Sequence, residues 1–520
     1  MPNPIFYRML KRIDFLSVIL SAVLITIMFY KQYLGLNVFL FEFCLFSYLI
    51  YRKKIPFASL NQKVLTIGTI VTLIATVFVH STFSYVWHFI SLFVFIGMLS
   101  YPKVRSIVNA LGMSLLSIAK AQLDFFKLCK QGKIGGKSIG KGLAKTRFFL
   151  IPIFIIFVFV MIYSAANPIF SDLVADFFGE FGHFWNVLFF DFEFAMIMTF
   201  LLGVFISNFL LLGKANEEIV QADMSAVDHF SRKRRVRRRG LTFSFFGLKN
   251  ELKAALFLFV SLNIILAIVN GIDVYWVWFN FEWEGQYLKQ FVHSGTYLLI
   301  FSILLSIGLV LYFFRGNINF YKKNTFLKKL SYVWLAQNVL LAISVGIRNY
   351  WYIEYYALAY KRIGVVIFLL LTIYGLFTVY LKLKEKKSYF YMIRTNAIVF
   401  YVLMTLSAVI DWDGVITRYN FAHADKSFLH LNFLANMSDK TLVDMDKSLE
   451  VLKTIQLAQK EEGFLSSSRI RKRSLYLTPE EYYQKVQERK VNFKIKWESK
   501  GFLSWNYPEC KAYWDLYFDD

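Results

Sequence analysis

The chain has 520 residues, of which 57% are hydrophobic, 19% aromatic and only 18% charged, with a mean hydropathy of +0.48. Those values exclude a disordered chain, a disulfide scaffold and an ordinary soluble domain, and they predict a multi-pass membrane protein. The net charge of +24 is unevenly placed. Residues 411–520 carry 17 Lys+Arg and 17 Asp+Glu, so the remaining 42 basic and 18 acidic residues all lie within 1–410. These basic residues sit in short segments between apolar runs, a pattern of membrane orientation and not of nucleic-acid binding. Three cysteines, Cys44, Cys129 and Cys510, are too few for a framework.

A spanning helix needs about 20 mostly apolar residues. Eleven stretches qualify: 13–30, 33–51, 64–80, 84–101, 147–165, 190–213, 252–272, 294–314, 329–347, 362–381 and 393–410. The first run is long and is followed at once by another, so it reads as a retained span and not as a cleavable signal. With the N-terminus cytoplasmic, the inside segments hold 37 of the 42 basic residues, and the outside segments hold only Lys31, Lys289, Arg348, Lys361 and Arg362. The asymmetry predicts a cytoplasmic N-terminus. An odd span count then places 411–520 outside the cytoplasm, in a bacterial inner membrane. The fold class expected is an all-α polytopic membrane protein with a small α or α+β C-terminal extramembrane domain. Its segments are 1–101, a four-span region; 102–146, a basic Gly/Lys cytoplasmic segment; 147–410, a seven-span core with the basic loop 214–251; and 411–520, the extracytoplasmic domain.

Residues 102–146 open with apolar Ile107, Val108, Leu111, Leu115 and Ile118, suited to a helix at the bilayer surface, and end in GKIGGKSIGKG. That Gly/Lys stretch is not a P-loop, because its spacing fails and no strand precedes it. Within 214–251, Arg232, Lys233, Arg234, Arg235, Arg237, Arg238 and Arg239 form a block. Beside a span it anchors topology or contacts anionic lipid headgroups, at about 1 kcal/mol per charge. In the tail, Ser438 begins a stretch with Leu442, Met445, Leu449 and Leu452 on one helical face. Thr478-Pro479-Glu480-Glu481 is a helix start. Val491, Phe493, Ile495 and Trp497 alternate with polar residues, which predicts a strand or edge segment.

Ionisable residues in or beside spans are the strongest functional signals, because lipid penalises them. Asp14, Glu42, His88, Asp191, Glu193, Asp273, Arg348 and Glu354 qualify. Glu42 stands mid-span in LNVFLFEFCLF and is the most anomalous. Arg348 and Glu354 flank an aromatic belt and read as a clamp between spans. Asp411-Trp-Asp413, with Arg418 downstream, has the look of a metal-binding Asp-x-Asp or of a solvated helix end. His423-Ala-Asp425 lacks a third ligand. No nucleophile elbow occurs, and the residues imply no catalytic group, cofactor or metal.

Several motifs resemble a family when taken in order. They are Ser164-Ala-Ala-Asn-Pro-Ile-Phe170, Phe291-Val-His-Ser-Gly-Thr-Tyr297, Arg348 with Tyr352, Tyr356-Ala-Leu-Ala and Lys361-Arg362, Asp413-Gly-Val-Ile-Thr-Arg-Tyr-Asn420, Leu431 to Asp439, and Ser504-Trp-Asn506. Over roughly 150–510 the chain resembles bacterial polytopic membrane proteins of the "domain of unknown function 4173" type, related to the 4153 type. Asn167 stands where the resemblance implies Asp, and Ala357-Leu-Ala stands for a Gly-Leu-Thr-like turn. The resemblance implies an integral envelope protein and no activity. Three readings stay open. One is an envelope sensor, scaffold or assembly factor that meets a protein partner through 411–520. Another is a transporter of a small solute or lipid using Glu42, Asp191 and Glu193. The third is a transferase on lipid-linked substrates using Asp411 and Asp413.

Overall fold

The computed structural model describes residues 4–52, 59–131, 167–188, 193–213, 215–232, 248–281, 287–464 and 477–518, with isolated residues between them. The chain divides into two compact units, one of residues 1–225 with 498–510, the other of 226–497 with 511–520.

The first unit contains α1 (Pro4–Phe29), α2 (Leu36–Tyr51), α3 (Leu60–Phe78), α4 (Thr82–Ser100), α5 (Ile107–Gln131), α6 (Pro168–Leu188), α7 (Phe194–Leu212) and α8 (Glu217–Ser225). Polar residues punctuate the apolar runs. Ser59 and Gln62 form a capping box at the start of α3, and Ser81 with Ser84 does the same for α4. Helices α4 and α5 approach closely, because a Cβ on Gly97 would overlap the carbonyl of Ala110. The predicted surface helix is present as α5, but it packs into this unit. Its buried face is Ile107, Ala110, Met113, Ser114, Ser117 and Ala121, while Val108, Leu111 and Leu115 point outward. Two residue pairs beyond it, Lys133–Ile134 and Lys137–Ser138, form a minimal antiparallel ladder.

The second unit contains α9 (Leu248–Asp273), a π-helical turn (Val274–Phe279), α10 (Tyr287–Phe313), α11 (Thr325–Tyr356), α12 (Tyr360–Glu385) and α13 (Tyr389–Ala408). It continues through α14 (Trp412–Ala422), α15 (Leu449–Glu461), most of α16 (Pro479–Glu498) and the end of α17 (Tyr507–Tyr517). With 32 residues, α11 is about 48 Å long, more than the hydrocarbon core requires. Its polarity pattern is inside out. Asn263, Asn270, Asn338 and Ser344 are buried, while Phe257, Ile264, Ile268, Leu298, Phe301 and Leu305 are exposed. Water would penalise that arrangement; lipid favours it.

Among the described residues, eight helices are long and apolar enough to cross a membrane, and Phe15–Phe29 and Leu36–Tyr51 are shorter apolar helices. The architecture is that of a membrane protein. The expected span 147–165 lies mainly outside the described residues.

The described tail is helical. The alternation at 491–497 is not a strand but the last turns of α16, whose capping box pairs the Thr478 amide with Glu481 at 2.8 Å and the Glu481 amide with Thr478 at 3.2 Å. The helical period wins: Tyr482, Val486 and Phe493 are buried, while Val491 and Ile495 are exposed. The helix expected after Ser438 is broken at Asp446, and Ser448 caps α15 instead. Leu442, Met445 and Leu452 still enter one core, which also takes in Ile363 from α12.

Candidate functional site: a buried carboxyl–imidazole pair

Glu42 on α2 is 2% exposed and His88 on α4 is fully buried. Their side chains meet at 2.7 Å between Oε1 and Nε2. On its other nitrogen, His88 Nδ1 lies 3.1 Å from the Thr72 hydroxyl of α3. One turn further along, Thr69 and Ser91 hydroxyls are 3.0 Å apart. The second Glu42 oxygen is buried without a hydrogen-bond partner. Sequence alone singles out Glu42 and His88 separately; their pairing and Thr72 emerge only from the packing of three helices.

The other expected residues fall in different places. Asp191 lies outside the described residues, as do Lys233, Arg234, Arg235, Arg237, Arg238 and Arg239; Arg232 is exposed. Glu193 is at the surface, 2.7 Å from Lys31 and hydrogen-bonded by Tyr30. Hydrogen bonds from Lys31 and then Tyr30 hold its carboxyl below the usual range. Such an exposed pair contributes little.

The expected Arg348–Glu354 clamp is corrected by the structure. Arg348 pairs with Asp273 at the end of α9, at 2.5 Å, with both side chains buried. Six residues along a helix turn Glu354 to a different face from Arg348. Around this pair, α9 and α11 are zipped by polar groups. Gln337 donates to Asn263 at 2.8 Å, Asn270 to the Gln337 carbonyl at 3.1 Å, Trp278 to Ser344 at 3.0 Å and Trp351 to the Val277 carbonyl at 3.0 Å.

Asp411 and Asp413 are brought together by Lys440, which reaches them at 2.7 and 3.1 Å, and the Tyr360 hydroxyl donates to Asp413. The buried ammonium occupies the position a cation would need. Arg418 is exposed and pairs with Asp444 at 3.1 Å. His423 Nδ1 bonds the Tyr419 carbonyl at 2.9 Å. Among the described residues, no group of three or more His, Cys, Asp or Glu is placed to hold a metal ion. Lys440 was not legible as a site residue, because nothing local links it to Asp411.

These observations define a helical membrane-type protein with ionisable pairs sealed between its helices. The chain belongs to the family described as Domain of unknown function (DUF4153), whose model matches residues 15–448. The match is to the 4153 type and not to the 4173 type that the motifs suggest, and it starts well before residue 150. No curated protein and no solved structure matches the chain.

Proposed function

We propose that the protein is a multi-pass envelope sensor, scaffold or assembly factor of the bacterial cytoplasmic membrane, with its N-terminus inside and its C-terminal residues outside. The observation that carries this reading is how residues 498–510 are tied into the first unit. The Leu36 amide donates to the Trp505 carbonyl at 2.8 Å, the Tyr33 amide to the Ser504 hydroxyl at 2.9 Å, and that hydroxyl to Gln32 at 2.9 Å. Nearby, Lys500 and Asn506 hold the Glu509 carboxylate, and Glu509 lies 3.9 Å from His80. The segment thus covers the α1–α2 and α3–α4 connections. The α2–α3 and α4–α5 connections, at the opposite helix ends, carry Arg52, Lys53, Lys54, Lys103 and Arg105. The basic-rich end is the expected inside, so the tail is expected outside.

The second unit, taken alone, supports the same polarity. Asn420 and Phe428 bond the α11–α12 connection through Leu358 and Tyr355. At the other helix ends, the 226–232 loop meets the Lys386–Ser388 connection, through Phe230 to Lys386 at 2.8 Å and Ser388 to Asp228 at 2.9 Å. Arg232 and the following basic residues are then available to anionic headgroups on the inside face, and the tail to an envelope protein. A transporter reading retains Glu42 as its motive. The transferase reading loses its motive, because the Lys440 ammonium already lies between the two acids.

The test uses Lys426, which is exposed. In a chain with Cys44, Cys129 and Cys510 replaced by Ser, Lys426→Cys should react with a membrane-impermeant maleimide in intact cells. Reaction only after lysis would overturn the outside placement. A photo-crosslinker at the same position should then capture one reproducible partner. Full function after deletion of the exposed tail surface would count against a scaffold.

A further inference from the structure

The Glu42–His88 contact fixes a count of protons. The Thr72 hydroxyl has one hydrogen, and it is directed at helix carbonyls, Gly68 at 2.9 Å or Thr69 at 3.0 Å. With that hydrogen on a carbonyl, the oxygen accepts from His88 and Nδ1 carries a hydrogen across the 3.1 Å contact. On the far side of the ring, Nε2 faces a carboxyl oxygen at 2.7 Å. With no proton between them, two lone pairs would oppose each other in a buried site. With one, the contact is a hydrogen bond, either from a neutral carboxylic acid to a neutral imidazole or from an imidazolium to a carboxylate. Both forms have zero net charge, the condition least penalised inside a bilayer.

The surroundings extend this pair along the membrane axis. On α3, Gln62, Thr66, Thr69, Thr72 and Thr76 recur at spacings of four and three and are all buried; on α4, Ser84, His88 and Ser91 do the same. Thr69 reaches the Leu65 carbonyl at 2.8 Å, and its hydroxyl shares a hydrogen bond with that of Ser91 at 3.0 Å. The two stripes face each other in register, with Thr72 level with His88 and Thr69 level with Ser91.

Other ionisable groups sit on the packed elements. On α2 these are Cys44, which is exposed, Tyr48, which bonds Ser17 at 2.8 Å, Tyr51 and, at the C-terminal end, Arg52; on α3 it is Lys63 in the first turn. On α4 it is Tyr85, bonded to His80 at 2.9 Å, and on α5 Lys120 and Asp124. Lys31 lies in the loop after α1, and Lys500 precedes the 502–504 turn that touches α2. The second Glu42 oxygen and the Thr66 hydroxyl are both buried without a hydrogen-bond partner.

We propose that Glu42, His88 and Thr72 form an intramembrane proton-binding site whose ligand is H+. Uptake of one proton from water forms an O–H bond on the Glu42 carboxylate, directed at His88 Nε2, and release breaks that bond; no electrons change centre. This goes beyond the envelope role and holds on either side assignment of the tail.

The test is a pH titration of the full chain in lipid nanodiscs, read by infrared difference spectroscopy. The wild type should show one carboxyl C=O band that grows as pH falls and that is missing from Glu42→Gln. Glu42→Asp should restore a titrating band. His88→Asn removes the imidazole from the contact, so the band should shift in frequency and its midpoint should move. Thr72→Val should move it less. A Glu42→Gln double difference with no titrating carboxyl would overturn the proposal and leave the pair as static interhelical glue. If Glu42→Gln fails to fold, the His88→Asn titration decides, and an unchanged band midpoint overturns it.

Discussion

Asn420 brackets Leu358 from both sides: its Oδ1 accepts the Leu358 amide at 2.7 Å and its Nδ2 donates to the Leu358 carbonyl at 3.0 Å. The preceding residue, Ala357, is thereby held at φ 64 and ψ −175, a conformation natural to glycine. Family resemblance implies a Gly at this turn, and the backbone still has the shape that Gly would take. Ala357→Gly should therefore raise stability by about 1 kcal/mol, the relieved strain exceeding the added freedom of the unfolded chain. Thermal unfolding in detergent would check it; a lower melting temperature would refute the strain.

Arg348 and Asp273 carry opposite charges on side chains that are both buried. Arg348→Met alone should cost about 3–5 kcal/mol, since it strands a buried carboxylate. The double variant Arg348→Met with Asp273→Leu should cost much less than that single. Additive losses in the cycle would show that the two side chains do not act as a pair.

His430 caps a short helical turn through Nδ1, which accepts the Phe433 amide at 3.0 Å. Burial pushes its pKa below the ordinary 6.5. The folded form thus binds the proton less readily than the unfolded chain. The neutral ring's contribution is complete above about pH 6.5 and is lost as pH falls from there through the lower folded value. Denaturation midpoints measured across that window should fall with acid in the wild type. His430→Asn, which keeps a capping oxygen, should flatten the slope.

Glu509 ties down the 498–510 segment. Burial raises its pKa, but hydrogen bonds from Lys500 and Asn506 outweigh this and hold it below the usual carboxylate range. Glu509→Gln should weaken the segment by a charge-assisted hydrogen bond, about 1.5–3 kcal/mol. The neighbouring Cys510 is a built-in reporter, and its thiol should label about tenfold faster or more in the variant. Equal labelling rates would show that the segment is held by its backbone bonds alone.

What was readable in the sequence was one-dimensional. The apolar runs at 64–80, 84–101 and 362–381 are helices because hydropathy over 20 residues is a local sum. The Thr478–Glu481 start was readable because a capping box is four residues long. The four alternating residues at 491–497 misled because so short a window fits both periods, and Tyr482 and Val486 upstream break the tie. The partners of charges were not readable. Glu42 finds His88, Arg348 finds Asp273, and Asp411 with Asp413 finds Lys440, each across a long stretch of chain. The nearest ionisable neighbour in sequence, as Glu354 shows, is a poor guide. The threonine stripe on α3 carried a signal that hydropathy averages away.

Residues 498–510 complete a unit whose other members all precede residue 226. The backbone amides of Tyr33 and Leu36 therefore meet their partners, Ser504 and Trp505, only after the whole intervening stretch has been made. A cut anywhere in that stretch would leave both amides unmatched, so two short bonds tie the closure of the first helices to the continuity of everything between.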